Sequence, residues 1–109
     1  MGSFSIKSAQ NELDIAFEGL FPPEDAKRFV TEFQKVVQKI NPATCHLKLD
    51  GTKLSASPNE MQQMLKNVLS MYKQMGFKTV TIAFGSNAIV KMQVKRLANE
   101  IGFDNFNVI

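Results

Sequence analysis

The sequence predicts an α/β domain with a mixed, mostly parallel sheet opened by an antiparallel hairpin. Three observations carry this. Short segments alternate apolar and polar residues with period two, as at Leu13, Ile15, Phe17 and at Val80, Ile82, Phe84. Longer segments between them carry apolar residues at helical spacing. Glycine or proline stands at most borders, at Pro22-Pro23, Asn41-Pro42, Ser57-Pro58, Gly76 and Gly102.

Phe4 and Ile6, then Leu13, Ile15 and Phe17, mark two strands over 4–8 and 12–18. Ala9-Gln10-Asn11 is too short for a crossover, so this pair is a hairpin. Pro22-Pro23-Glu24-Asp25 suits a first helical turn, where proline loses no hydrogen bond and acids face the positive end of the helix dipole. Ala26, Phe29, Val30, Phe33, Val36, Val37 and Ile40 then form one stripe, and Asn41-Pro42 ends it. Phe29, Val30, Phe33 and Val37 are expected to be buried against the sheet.

Cys45, Leu47 and Leu49 mark a third strand over 44–49, after which Asp50-Gly51 is expected to turn the chain. Ser57-Pro58 reads as N-cap and first position of a second helix over 58–75, closed by Gly76. Val80, Ile82 and Phe84 give a fourth strand over 78–84. A third helix over 87–101 closes at Gly102, and Phe106, Val108 and Ile109 give a last strand. The order is β-β-α-β-α-β-α-β. Strands joined through helices imply right-handed crossovers and parallel pairing.

With 109 residues the chain fits one domain, over 4–109, and Met1–Ser3 reads as a start segment or a cloning remnant. Charged residues at 21% and apolar residues at 44% are globular values, which argues against global disorder. The lone Cys45 excludes an internal disulfide and, with no signal-peptide pattern, points to a reducing, cytoplasmic compartment. Apolar runs fall far short of the roughly 18 residues of a membrane span, so no membrane insertion is expected. Gly2 resembles a myristoylation start, but Ile6 stands where that motif needs Ser or Thr. The net charge of +3 is mild for a nucleic-acid binder. Tyr72 is the only tyrosine and tryptophan is absent, so stacking aromatics are scarce as well.

Phe17-Glu18-Gly19-Leu20 before a helix, Leu47-Lys48-Leu49-Asp50-Gly51, Met75-Gly76-Phe77-Lys78-Thr79-Val80 and Leu97-Ala98-Asn99-Glu100-Ile101-Gly102-Phe103 follow in an order and spacing that resemble the STAS family, the sulphate-transporter and anti-sigma-factor-antagonist domain. The resemblance covers the chain from about Leu13 onward. It implies a bacterial, cytoplasmic protein-interaction module of a regulatory or assembly system, without a cofactor. It also places Ser57 at the family's phosphorylation switch. There the family's Asp-Ser-Ser-Gly signature reads Ala56-Ser57-Pro58-Asn59, without the acid.

The residues admit readings of their own. Ser57 is a phosphate acceptor at a helix N-terminus or a plain N-cap, with Ser55 the second candidate. Neighbours on a strand point to opposite faces, so Cys45 and His46 cannot pair as nucleophile and base, and no second His exists. No catalytic or metal-binding residues are assigned. Gly85-Ser86-Asn87 opens a helix after a strand, but lacks a nucleotide-loop pattern, and a tight turn with an N-cap accounts for it.

On the second helix Met61, Met64, Leu65, Val68, Leu69, Met71, Tyr72 and Met75 span a wide arc, with Leu69 and Met71 at its edges, expected partly exposed. On the third helix Val90, Val94, Leu97, Ala98 and Ile101 form the buried stripe. Ile89 and Met92 fall on the opposite arc with Lys91, Lys95 and Arg96. The candidate partner-binding residues are therefore Lys53, Ser55, Ser57, Asn59, Leu69, Met71, Ile89, Met92 and Arg96. The expected partner is another protein, and a homodimer is compatible with the pattern. The alternative is a small anionic or lipidic ligand held at helix N-termini near Ser57 and Ser86 over an apolar gap.

Overall fold

The computed structural model describes residues 2–55, 59–103 and 106–109, and for positions 23 and 59–61 the backbone alone. Nine elements follow in order. They are β1 (Ser3–Ala9), β2 (Glu12–Gly19), α1 (Pro23–Val37), a 3-10 turn (Pro42–Thr44), β3 (His46–Leu54), α2 (Asn59–Met75), β4 (Thr79–Ala83), α3 (Ala88–Glu100) and β5 (Phe106–Val108). The sheet runs β1-β2-β3-β4-β5. Only β1 and β2 are antiparallel, and every later pair is parallel. The expected order and strand directions are those observed.

Strict alternation divides the sheet into two unlike faces. Leu13 and Ile15 of β2, Leu47 and Leu49 of β3, and Val80 and Ile82 of β4 are buried. Their neighbours Ala16, Lys48 and Asp50 are exposed, and Asp14, Thr79 and Thr81 are half-buried. The buried set forms one cluster with Phe29 and Phe33 of α1, Leu69 and Tyr72 of α2, and Val90, Val94 and Leu97 of α3. All three helices therefore pack on one face. Right-handed crossovers that always step to the next strand in the same direction produce this arrangement. The opposite face is polar and bare.

Several boundaries depart from the sequence reading. β3 does not turn at Asp50-Gly51 but continues to Leu54. The β2–β3 register passes from Ala16↔Asp50 to Glu18↔Lys53, so β3 carries one extra residue opposite Phe17. Asp50 stabilises this bulge from within: its Oδ1 accepts from the Thr52 N–H at 3.0 Å and the Thr52 hydroxyl at 2.7 Å. The 3-10 turn takes residues 42–44, so Cys45 lies just ahead of β3 rather than inside it.

In α1, Phe29 and Phe33 are buried as expected, but Val30 and Val37 are only half-buried. Val30 lines a groove open toward α2, so the apolar stripe is wider than the area the sheet covers. In α2, Leu69 is 2% exposed, which corrects its place among the contact candidates. A single helix wheel assumes one covered side. α2 is flanked by both α1 and α3, so the shoulder that holds Leu69 is covered too.

Candidate interaction surface

The ends of the parallel strands nearest the starts of α2 and α3 hold the loop that the sequence singled out. Its described part ends at Ser55. The Ser55 N–H donates to the Gly19 carbonyl at 3.0 Å, which joins the ends of β2 and β3. Asn87 ties the start of α3 to the same loop: its Nδ2 donates to the carbonyls of Leu54 at 2.7 Å and Gly51 at 3.1 Å. Asn87, not Ser86, holds the N-cap position, and its side chain makes no cap bond. The turn before it runs through Gly85 at φ 59°, a left-handed conformation open to glycine.

The candidates separate into distinct places. Lys53 and Ser55 are exposed at the end of β3. Ser57 and the side chain of Asn59 lie outside the described residues. Met71 is half-buried and lines an open groove of about 400 Å³ between α1 and α2, with Val30, Met64 and Val68 on its walls and Lys27 and Asn67 among its lining. Ile89, Met92 and Arg96 share the outward face of α3, as expected. Ile89 is 69% and Met92 72% exposed, values far above those of the helix's buried stripe. Lys95 is exposed beside them. Arg96 donates to Oε1 of Gln62 on α2, and Glu100 pairs with Lys66 at 3.9 Å, which partly neutralises the acid at this end of the patch. Ile109, just after β5 and out of step with the alternation of Phe106 and Val108, is also exposed.

Beneath the loop, Phe17, Phe21, Leu54, Leu65 and Val68 help to line an apolar cavity of about 80 Å³, with Ser55 among its few polar neighbours. It is roughly half the volume of an apolar protein cavity known to admit benzene, about 150 Å³. Cys45 is buried, and burial pushes its thiol pKa up, which disfavours the thiolate. His46 points the other way, with Nδ1 2.7 Å from the Thr79 hydroxyl on the bare face. On that face Lys48 pairs with Glu12 at 2.8 Å. The hydrogen bond from Lys48 holds the Glu12 carboxyl below its usual range, whereas desolvation and the nearby Glu12 raise Asp14. Among the described residues no helix is long and apolar enough to cross a membrane.

The fold is thus a five-stranded sheet with one antiparallel hairpin, steps in one direction and three helices on one face. Among solved structures it matches an uncharacterised protein of the DUF3478 family from Shewanella loihica PV-4, described as having a SpoIIAA-like fold. The match has a TM-score of 0.69 and covers 99% of this chain and 85% of that one, at 16% sequence identity. The chain has a SpoIIAA-like fold. This is the architecture that the STAS resemblance implies. No protein-family model and no curated protein matches the chain.

Proposed function

We propose that this SpoIIAA-like chain is a non-catalytic protein-interaction module of a regulatory or assembly system, with its docking surface at the start and outward face of α3. The observation that carries the reading is the pair Ile89 and Met92, 69% and 72% exposed and set beside Lys95 and Arg96. Large apolar side chains flanked by charge suit a small buried contact with a polar rim. Methionine adapts its shape to a partner. The Asn87 staple links the start of this face to the strand end that carries Lys53 and Ser55. The separation of Cys45 from His46 supports the absence of catalysis.

The small-ligand reading has the apolar cavity in its favour. At about 80 Å³ that cavity is well below the roughly 300–1,000 Å³ of ordinary ligand sites, which favours the protein partner.

The test is a photo-crosslinker at position 92 in cells of the source organism, followed by affinity measurements on the captured protein. Ile89→Glu/Met92→Glu is expected to weaken binding by tenfold or more, on the order of 1.4 kcal/mol. Lys95→Glu/Arg96→Glu is expected to weaken it and to make it less sensitive to salt. Unchanged affinity in both folded variants overturns the proposal.

A further inference from the structure

At β1 the edge of the sheet leaves backbone groups open. The hairpin closes on the pair Ala9↔Glu12 across the two-residue loop Gln10-Asn11. A closing pair so near the turn can only be a hydrogen-bonded pair, so Ser3, Ser5, Lys7 and Ala9 direct their N–H and C=O groups at β2. Those of Gly2, Phe4, Ile6 and Ser8 point away from the sheet. Gly2, just ahead of β1, is bound to α1: its N–H donates to Asp25 Oδ2 at 2.9 Å, and its carbonyl accepts from the Arg28 guanidinium at 3.3 Å. α1 thus caps the first outward position. Among the described residues nothing pairs with the backbone of Phe4, Ile6 or Ser8. Lys7 is the only charge within Ser3–Ala9 and proline is absent, so beyond the Gly2 end, where Arg28 of α1 also lies 5.4 Å over the Phe4 ring, the usual safeguards against strand addition are thin.

We propose that two copies of this chain join through antiparallel pairing of their β1 edges, centred on Ile6. The three open positions are symmetric about that residue. A two-fold axis at Ile6 sets Ile6 against its counterpart and each Phe4 against the other copy's Ser8. Three donors and three acceptors on each strand are all used, and both sheets run on into one. Side chains agree with this register. The half-buried Ile6 residues meet on the helix-covered face. On the bare face Lys7 stands opposite Ser5 of the other copy, while Asp14 of its own β2 flanks it on the other side, so no like charges are directly opposed. A second copy supplies this register without adaptation: Ile6 meets an identical half-buried side chain, and Lys7 meets an uncharged serine. The contact is short, so the dimer is a weak one that depends on concentration.

The experiment is sedimentation equilibrium of the full chain, together with oxidative crosslinking of cysteine variants. The proposed register puts positions 5 and 7 directly opposite across the two-fold. Ser5→Cys/Lys7→Cys is expected to give a disulfide-linked dimer, while either single variant, with its counterpart two residues along, crosslinks poorly. Buried Cys45 does not compete. Ser8→Pro removes an outward N–H without touching the β1–β2 ladder. It is expected to shift the equilibrium to monomer with an unchanged circular dichroism spectrum. If it unfolds the chain, the cysteine comparison decides alone. A monomer at every concentration, crosslinking in the single variants equal to that in the double, or a dimer that a folded Ser8→Pro leaves intact each overturns the proposal. The first of these outcomes would leave the edge to an extended segment of another protein.

Discussion

Gly51 lies in close contact with the ring of Phe84: a Cβ built on Gly51 would stand 2.5 Å from Cε1 and 2.8 Å from Cδ1 of that ring. Phe84 is fully buried, so its ring cannot swing aside into solvent. The glycine is therefore required by close approach across the β3–β4 pair, at the bulge where β3 carries its extra residue. Gly51→Ala is expected to destabilise the fold by about 1–3 kcal/mol, the usual cost of overpacking. Urea unfolding of Gly51→Ala, Phe84→Leu and the double variant checks it. The double variant should lose less than the sum of the two, because the smaller side chain makes room for the methyl group.

Asn87 is expected to matter more than its serine neighbour. Asn87→Ala removes the donor shared by the Gly51 and Leu54 carbonyls, at a cost of roughly 1–3 kcal/mol, the range for stranded polar groups. Ser86→Ala, at an exposed position, should stay within about 0.5 kcal/mol. Equal midpoints for the two variants in chemical denaturation would contradict the staple.

Phe33 is the centre of the aromatic core. Its ring stacks on Phe29 at 5.5 Å, meets Tyr72 edge-on at 5.3 Å and lies 6.1 Å from Phe77, and it is 0% exposed. Phe33→Ala should lower stability by roughly 3–5 kcal/mol. Val30→Ala, on the half-buried groove wall, should lose distinctly less. Thermal melts of the two variants compare them directly.

Stability should fall at alkaline pH. Burial raises the pKa of both Cys45 and Tyr72 in the folded chain. A raised folded pKa means that the neutral group is favoured by folding. The contribution is intact below the unfolded values, about 8.5 for Cys and 10 for Tyr, and is lost as pH rises above them, because the unfolded chain ionises first. Denaturation midpoints should therefore be flat near neutrality and drop above about pH 8.5. Cys45→Ala should remove the first part of the decline and Tyr72→Phe the second. Slow reaction of Cys45 with thiol reagents in the native protein, and fast reaction in urea, checks its burial independently.

Much of this architecture was legible along the chain. Period-two alternation at Leu13-Ile15 and Val80-Ile82, the stripe through Phe29 and Phe33, and the glycines at 76 and 102 are local patterns set by backbone geometry. They determine element type, element order and which residues enter the core. On α3 they also separate Val90 and Val94 from Ile89 and Met92, because that helix has one covered side and the wheel describes it well. What the tertiary structure decided concerns positions whose environment comes from distant segments. Gly51 read as a turn because Asp-Gly often is one, and only the continued pairing of β3 with β2 places it within a bulged strand, against the ring of Phe84. Leu69 read as a helix edge, and only the neighbouring helices on both flanks bury it. Asn87 and Ser86 are indistinguishable as local caps, and the carbonyls of Gly51 and Leu54, more than thirty residues away, select between them. The open edge of β1 is likewise a product of strand order, which no residue of Ser3–Ala9 encodes alone. Local periodicity fixes what a residue presents, whereas contact between distant segments determines what it meets.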